Sequence, residues 1–192
     1  MRMSLWVHFV PLVLAACATT ASGERTRAAP PLEPGVKGGI AWMRNDNHLY
    51  YQAVWTERRV AAGWPNGSAT GSLDRTPDGK WETGVTVIEV TGSRLTGPQI
   101  DVTFTRQEGG FRLTGLWFGA NVDLVLDARG ARAQQSTYAR DGSGAYVSKD
   151  LPDRYVFLVG DAARLEDPPW PEIALAALTA HWGLDSGMGN VR

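Results

Sequence analysis

The chain is poor in cysteine, histidine and net charge, and each shortage excludes a class of function. Cys17 is the single cysteine among 192 residues, so the folded part carries no disulfide. Nineteen basic and 20 acidic residues leave a formal net charge of −1. No run of Lys or Arg provides the basic surface that nucleic-acid binding needs, so we expect no such partner. Three histidines without ligand spacing predict no metal site, and nothing predicts a cofactor.

Long hydrophobic runs are also missing. The apolar segment near the N-terminus covers residues 5–14, about half of the roughly 20 residues that a membrane-spanning helix needs. It follows Arg2 and precedes the small residues Ala15 and Ala16, which is the anatomy of a secretory signal peptide. We therefore predict that residues 1–16 are a cleaved signal peptide.

Cys17 lies directly after this segment. It ends the tetrapeptide Leu14-Ala15-Ala16-Cys17, which resembles the lipobox of bacterial lipoproteins. The resemblance implies that Cys17 is lipidated, that the peptide before it is removed, and that the new amino terminus is acylated. Several acyl chains on one residue would make the attachment to a membrane effectively permanent. Ala18 stands where an Asp would favour inner-membrane retention, so the resemblance implies the outer membrane, facing the periplasm or the cell surface.

Residues 17–35 differ in composition from the rest of the chain. After the lipidated cysteine they contain Ala, Thr, Ser, Pro and Gly with scattered charges, and Leu32 is their one large apolar residue. Such a segment buries too little surface to order itself, and its prolines favour extended conformations. We expect it to be a flexible tether.

Residues 36–183 have the pattern of a single β-rich domain. The clearest alternation is in residues 99–106, where Ile100, Val102 and Phe104 share one face and polar residues occupy the other. Residues 155–159 are continuously apolar, which predicts a central strand covered on both faces. The fold class is therefore mainly β: an antiparallel β-sandwich or small β-barrel of about eight or nine strands.

One helix is predicted after the strands, over about residues 171–182. Pro171 and Glu172 suit a helix start, and Gly183 suits the position after its end. Because the segment has almost no polar face, we expect it to dock against the β-domain. Residues 184–192 are predicted to be a frayed tail.

Aromatic residues offer the one candidate for a ligand site. Of eight tryptophans, those in or beside predicted strands and close to turns include Trp42, Trp55, Trp81 and Trp117. If several reach one sheet face or barrel mouth, they form a stacking or apolar binding surface. The alternative is that these large side chains fill the core, which a disulfide-free domain needs.

A lipid anchor, an antiparallel barrel and a following helix together resemble the outer-membrane lipocalins. That family has a Gly-x-Trp motif near its first strand, and here Gly39-Ile40-Ala41-Trp42 is one residue longer. The resemblance implies a carrier of a small apolar ligand.

Catalytic motifs are scarce. No Gly-x-Ser-x-Gly sequence occurs, and we assign no catalytic residue. Asp101 and Asp123 could share a sheet face, as the two carboxylates of a glycan hydrolase do, but alternation equally places them in solvent. We expect a lipid-anchored envelope lipoprotein whose β-domain is non-catalytic, with a structural role or a role in binding an envelope protein or a small apolar ligand. The alternatives are a lipocalin-like carrier and an envelope glycan hydrolase.

Overall fold

A computed structural model describes residues 26–184 of the chain. Leu14, Ala15, Ala16 and Cys17 lie outside these residues, as do the predicted signal peptide and residues 185–192. The first seven strands are β1 (Gly38–Arg44), β2 (Leu49–Trp55), β3 (Arg59–Gly63), β4 (Ala69–Arg75), β5 (Trp81–Thr83), β6 (Thr86–Thr91) and β7 (Arg94–Gly97). The next seven are β8 (Ile100–Gln107), β9 (Gly110–Trp117), β10 (Ala120–Asp127), β11 (Gly130–Ala133), β12 (Ser136–Arg140), β13 (Tyr146–Ser148) and β14 (Arg154–Gly160). A 3₁₀ turn, Asp161–Ala163, and one α-helix, α1 (Glu172–Thr179), follow them.

The strands form a closed antiparallel barrel. Each strand pairs with the next in sequence, and β1 also pairs with β14, from Gly38 opposite Gly160 to Arg44 opposite Arg154. The mainly β, antiparallel fold with one helix is confirmed, and of the two predicted architectures the structure has the barrel. The sandwich is wrong, because closure leaves one continuous sheet with no free edge.

The predicted number of about eight or nine strands is also wrong, since residues 38–160 contain 14. Two stretches show the reason. Residues 81–90 read as one strand because β-formers flank Gly84, yet the chain turns there between β5 and β6. Residues 131–139 read as one polar strand, and the chain turns at 134–135 between β11 and β12. Strands of three to five residues are too short for alternation to separate them.

Helix α1 lies inside the barrel. All residues from Ile173 to Thr179 are buried, and they belong to the same apolar cluster as the inward-facing side chains of the strands. A helix that is apolar on every side needs such an environment. The predicted docked helix is therefore confirmed, although it ends at Thr179, three residues before the predicted end.

The wall beside α1 is made of small residues. Ala53, Ala62 and Gly71 are aligned opposite one another on β2, β3 and β4. A Cβ atom at Gly71 would lie 3.0 Å from Cγ2 of Thr179, so glycine permits the close approach of the helix. Across the lumen, larger inward side chains fill the remaining space: Phe104, Phe111, Leu113 and Leu124. The helix therefore lies off-centre, and side chains of unequal size fill the barrel around it.

Residues 26–36, which we call the strap, lie against the outer face of β1 and β14. Leu32 packs on an outward apolar cluster formed by Ala41, Met43, Ala145, Tyr155, Phe157 and Val159. Nη1 of Arg27 pairs with Oδ2 of Asp141 at 2.9 Å, and its guanidinium carbon lies 5.2 Å from the centre of the Tyr155 ring. Because the strap covers one face of β14 and the lumen the other, residues 155–159 are buried throughout.

The barrel has two distinct ends. The top carries the turns at 56–58, 76–80, 92–93, 108–109 and 128–129, and there the chain enters the lumen to begin α1. The bottom carries the turns at 45–48, 64–68, 84–85, 98–99, 118–119, 134–135 and 149–153. The chain leaves α1 at the bottom, where Asp123 N donates to Gly183 O at 2.9 Å and Leu184 pairs with Val122. No helix within residues 26–184 is long and apolar enough to cross a membrane.

Candidate functional site

A groove of about 680 Å³ opens at the top of the barrel. The β2–β3 turn and the end of β4 form two of its sides, and the segment that leads into α1 forms a third. Its charged and aromatic lining consists of Lys37, Trp55, Glu57, Arg58, Arg75, Asp161 and Glu172. The groove exists because α1 starts at the level of these turns and does not fill the mouth above it.

Some of these charges already satisfy one another. Nζ of Lys37 lies 2.9 Å from Oε1 of Glu57, and its hydrogen bond and positive charge lower the pKa of that carboxyl. Asp161 pairs with Arg164 at 3.1 Å. These pairs are exposed enough to contribute little to stability, and they neutralise one side of the groove.

Two arginines in the groove have no carboxylate partner. Within residues 26–184, neither Arg58 nor Arg75 has a carboxylate oxygen within 4 Å. The guanidinium of Arg75 instead lies 5.9 Å from the centre of the Trp81 ring, which holds it in position by a cation–π contact. A guanidinium presents a planar set of donors that matches carboxylate or phosphate oxygens. The groove can therefore offer two such groups to an anionic ligand.

The four tryptophans of the sequence analysis do not gather at one surface. Trp55 and Trp81 are buried near the top, with Trp55 forming part of the groove floor. Trp117 is buried near the bottom, with its ring centre 5.1 Å from that of Phe118. Trp42 is half-buried and makes edge-on contacts with Trp182 and Tyr51. No ring contact in the described part of the chain joins two of the four.

The candidate acidic pair is held in separate ion pairs. Arg94 donates two hydrogen bonds of 2.6 Å to the carboxylate of Asp101 and lowers its pKa. Asp123 is bound by Arg112 at 3.1 Å and by Arg132 at 2.8 Å. A glycan hydrolase needs one carboxyl whose pKa is raised. Here each of the two carboxylates is instead engaged by at least one guanidinium. The part of the chain that the structure describes also holds no group of three potential metal ligands.

Arg58 and Arg75 were missed by sequence reasoning. Arg58 lies in the β2–β3 turn and Arg75 is the last residue of β4, both in polar stretches. In the sequence nothing distinguishes these two arginines from the other exposed arginines. Pairing of β3 with β4 places Arg58 beside Arg75, and the path of the chain into the barrel brings the start of α1 to them. Comparison of the chain with known protein families, with curated proteins and with solved structures gave no match.

Proposed function

We propose that the protein is a bacterial envelope lipoprotein, anchored through Cys17, whose barrel is a non-catalytic binding domain with its ligand site in the top groove. The observation that carries the binding proposal is the pair of guanidinium groups, Arg58 and Arg75, that line a concave surface and have no carboxylate oxygen within 4 Å among the described residues. Their chemistry favours a ligand or partner group that carries a carboxylate or phosphate.

Because α1 and the inward side chains occupy the lumen, a ligand site at the mouth of the barrel has more support than a ligand site inside it. A lipocalin-like carrier holds its ligand within the barrel, and here α1 and the side chains around it occupy that space. An internal ligand would have to displace a helix whose residues from 173 to 179 are all buried. The apolar-ligand alternative therefore has less support than the groove.

The anchor is tested by metabolic labelling of bacterial cells with an alkyne analogue of palmitate. We expect the full-length protein to incorporate the label and to fractionate with membranes, and Cys17→Ser to abolish labelling. Ala18→Ser, which keeps the cysteine, is the matched control. Ala18→Asp is expected to move the protein from the outer to the inner membrane. Equal labelling of the wild type and Cys17→Ser would refute the anchor.

The groove is tested by titrating the full-length protein with palmitate, haem and carboxylated envelope glycan fragments. Trp55 lines the groove and the Trp81 ring contacts the guanidinium of Arg75, so their fluorescence reports occupancy. Losing one charge-assisted contact costs about 1.5–3 kcal/mol, so Arg58→Gln or Arg75→Gln should weaken binding about 10- to 100-fold. Arg129→Gln, at a top turn outside the groove, should leave affinity unchanged. Equal loss in all three variants, or no response to any probe, would contradict the anionic site.

A further inference from the structure

The large apolar side chains that remain exposed are confined to one end of the barrel. Within residues 26–184 they are Trp64, Val85, Val87, Leu116, Phe118 and Leu151. All six lie in bottom turns or at the strand ends that flank them. We call this set the apolar rim. Val85 is 93% exposed, and the other five are between 41% and 45% exposed.

Four of these residues lie on two hairpins of the same part of the bottom. Val85 and Val87 belong to the β5–β6 hairpin, and Leu116 and Phe118 belong to β9 and the turn after it. The β7–β8 hairpin lies between them and touches both, because Gly97 packs against Val87 O and Gly119 N donates to Gln99 O. The two apolar pairs therefore lie along one stretch of the bottom rim, with the β7–β8 hairpin between them.

The chain starts at the same end. Nδ2 of Asn47, in the β1–β2 turn at the bottom, donates to Thr26 O at 3.3 Å, and Ala28 N donates to Oδ1 of Asn47 at 3.3 Å. Thr26 therefore lies at the bottom, the end of the barrel that carries the apolar rim. Cys17 precedes it by nine residues, which can span at most about 30 Å.

This geometry selects the end that meets a membrane. Strands of eight residues, tilted as in other barrels, give a height of roughly 20–25 Å. A tether that starts at the bottom reaches a bilayer directly when the bottom faces the bilayer. If the top faced the bilayer, the tether would need most of its length to run along the barrel wall from the bottom to the top. Trp and Phe side chains are also favoured at the boundary between headgroups and acyl chains.

We infer that the apolar rim is a membrane-contacting surface that inserts into the lipid headgroup region and holds the barrel upright, with its bottom on the bilayer and its groove pointing away. The inference rests on the proposed anchor for its choice of a bilayer as the occupant. Insertion of apolar side chains by about 5–10 Å would add a second attachment to that of the acyl chains. The strap, which is held by Asn47 and Asp141, would transmit the position of the anchor to the barrel.

The test uses the lipidated full-length protein, one copy in each phosphatidylcholine nanodisc. Because lipid occupies the single native cysteine, Val85→Cys introduces one reactive thiol for an environment-sensitive fluorophore. Glu108→Cys, in a top turn, is the matched control. With nitroxide on the lipid chains near the headgroups, we expect at least about a twofold loss of emission at position 85 and none at 108.

The possible outcomes separate the occupants. Emission at 85 that is neither blue-shifted nor quenched would overturn the inference, and so would equal quenching at both positions, which would mean no fixed orientation. A blue shift at 85 without quenching would mean that protein, such as a second copy, covers the rim, and would also overturn it. If palmitate labelling shows that Cys17 is not lipidated, the same two cysteine variants made in a Cys17→Ser background, labelled and mixed with nanodiscs, give the same comparison, so the two proposals fail separately.

Discussion

Truncation of α1 side chains tests whether the helix lies inside the barrel. At 100° per residue, Ile173 and Leu178 point in directions about 140° apart, and Leu175 points about 160° from Ile173. A helix docked on an outer surface would leave one of these directions open to solvent. In the structure all three side chains are fully buried. Shortening any one of them therefore removes buried apolar atoms and leaves a cavity.

The expected cost follows from that burial. Leu→Ala and Ile→Ala at closed core sites destabilise proteins by about 2–5 kcal/mol. We expect Ile173→Ala, Leu175→Ala and Leu178→Ala each to fall in this range. With a urea m-value near 2–3 kcal/mol/M, each variant should unfold at about 1–2 M lower urea than the wild type. Leu116→Ala, at an exposed rim position, is the control and should cost less than about 1 kcal/mol.

The measurement is equilibrium unfolding in urea, followed by tryptophan fluorescence and circular dichroism. Coincidence of the two signals would establish that barrel and helix unfold together. A cost at Ile173 or at Leu178 as small as that of the control would refute the placement of α1 in the lumen. Unfolding of the helix before the barrel would refute the claim that α1 is part of the core.

Three further predictions concern the barrel wall, the strap and alkaline pH. Gly110→Ala should cost about 2 kcal/mol or more in urea unfolding, because its Cβ would overlap a backbone carbonyl of β10. Asp141→Asn should speed amide exchange in residues 26–36, because it removes the ion pair between residue 141 and Arg27. The ion pair that is lost contributes less than about 1 kcal/mol to stability. Burial raises the pKa of Tyr146 to about 12. The contribution of Tyr146 to the free energy of unfolding should therefore be constant below about pH 10 and fall towards pH 12, since this tyrosine ionises first in the unfolded state, and Tyr146→Phe should remove that part of the alkaline fall.

Each of these predictions has a control and a contradicting result. Gly84→Ala, where an added Cβ meets nothing within 4 Å, should be tolerated, and equal costs at both glycines would count against the barrel register. Exchange in the strap that is unchanged by Asp141→Asn would show that Leu32 alone holds it. An identical alkaline slope in the wild type and Tyr146→Phe would show that this hydroxyl stays solvated in the folded state.

Several elements of the fold were predictable because a local pattern determines them. Alternation of Ile100, Val102 and Phe104 against polar neighbours placed β8 correctly, since one face of the strand meets the lumen and the other meets water. The continuous apolar run at 155–159 predicted a strand covered on both faces. It did not show that the cover would be the strap, because residues 26–36 contain only Leu32 and Val36 as large apolar residues.

The site was not predictable for a geometric reason. Eight tryptophans drew attention to aromatic residues, yet Trp55, Trp81 and Trp117 are buried. The exposed cations of the groove come from positions as far apart in sequence as Arg58 and Arg75, and a third side comes from the approach to α1. Nothing local to those arginines marks them. Their proposed role depends on where α1 begins inside the barrel, and no local pattern defines that position.

The way the lumen is filled determines where function can lie. Without disulfides in the folded part, a barrel of short strands needs a large apolar core, and α1 supplies it by placing a fully buried helix against Ala53, Ala62 and Gly71. That solution removes the internal cavity that a carrier would use. The two ends differ in chemistry: the top presents guanidinium groups that have no carboxylate oxygen within 4 Å, and the bottom presents exposed apolar side chains and the start of the strap. In the membrane attachment that we propose, the apolar end faces the lipid, and the charged groove therefore faces the aqueous space beyond it.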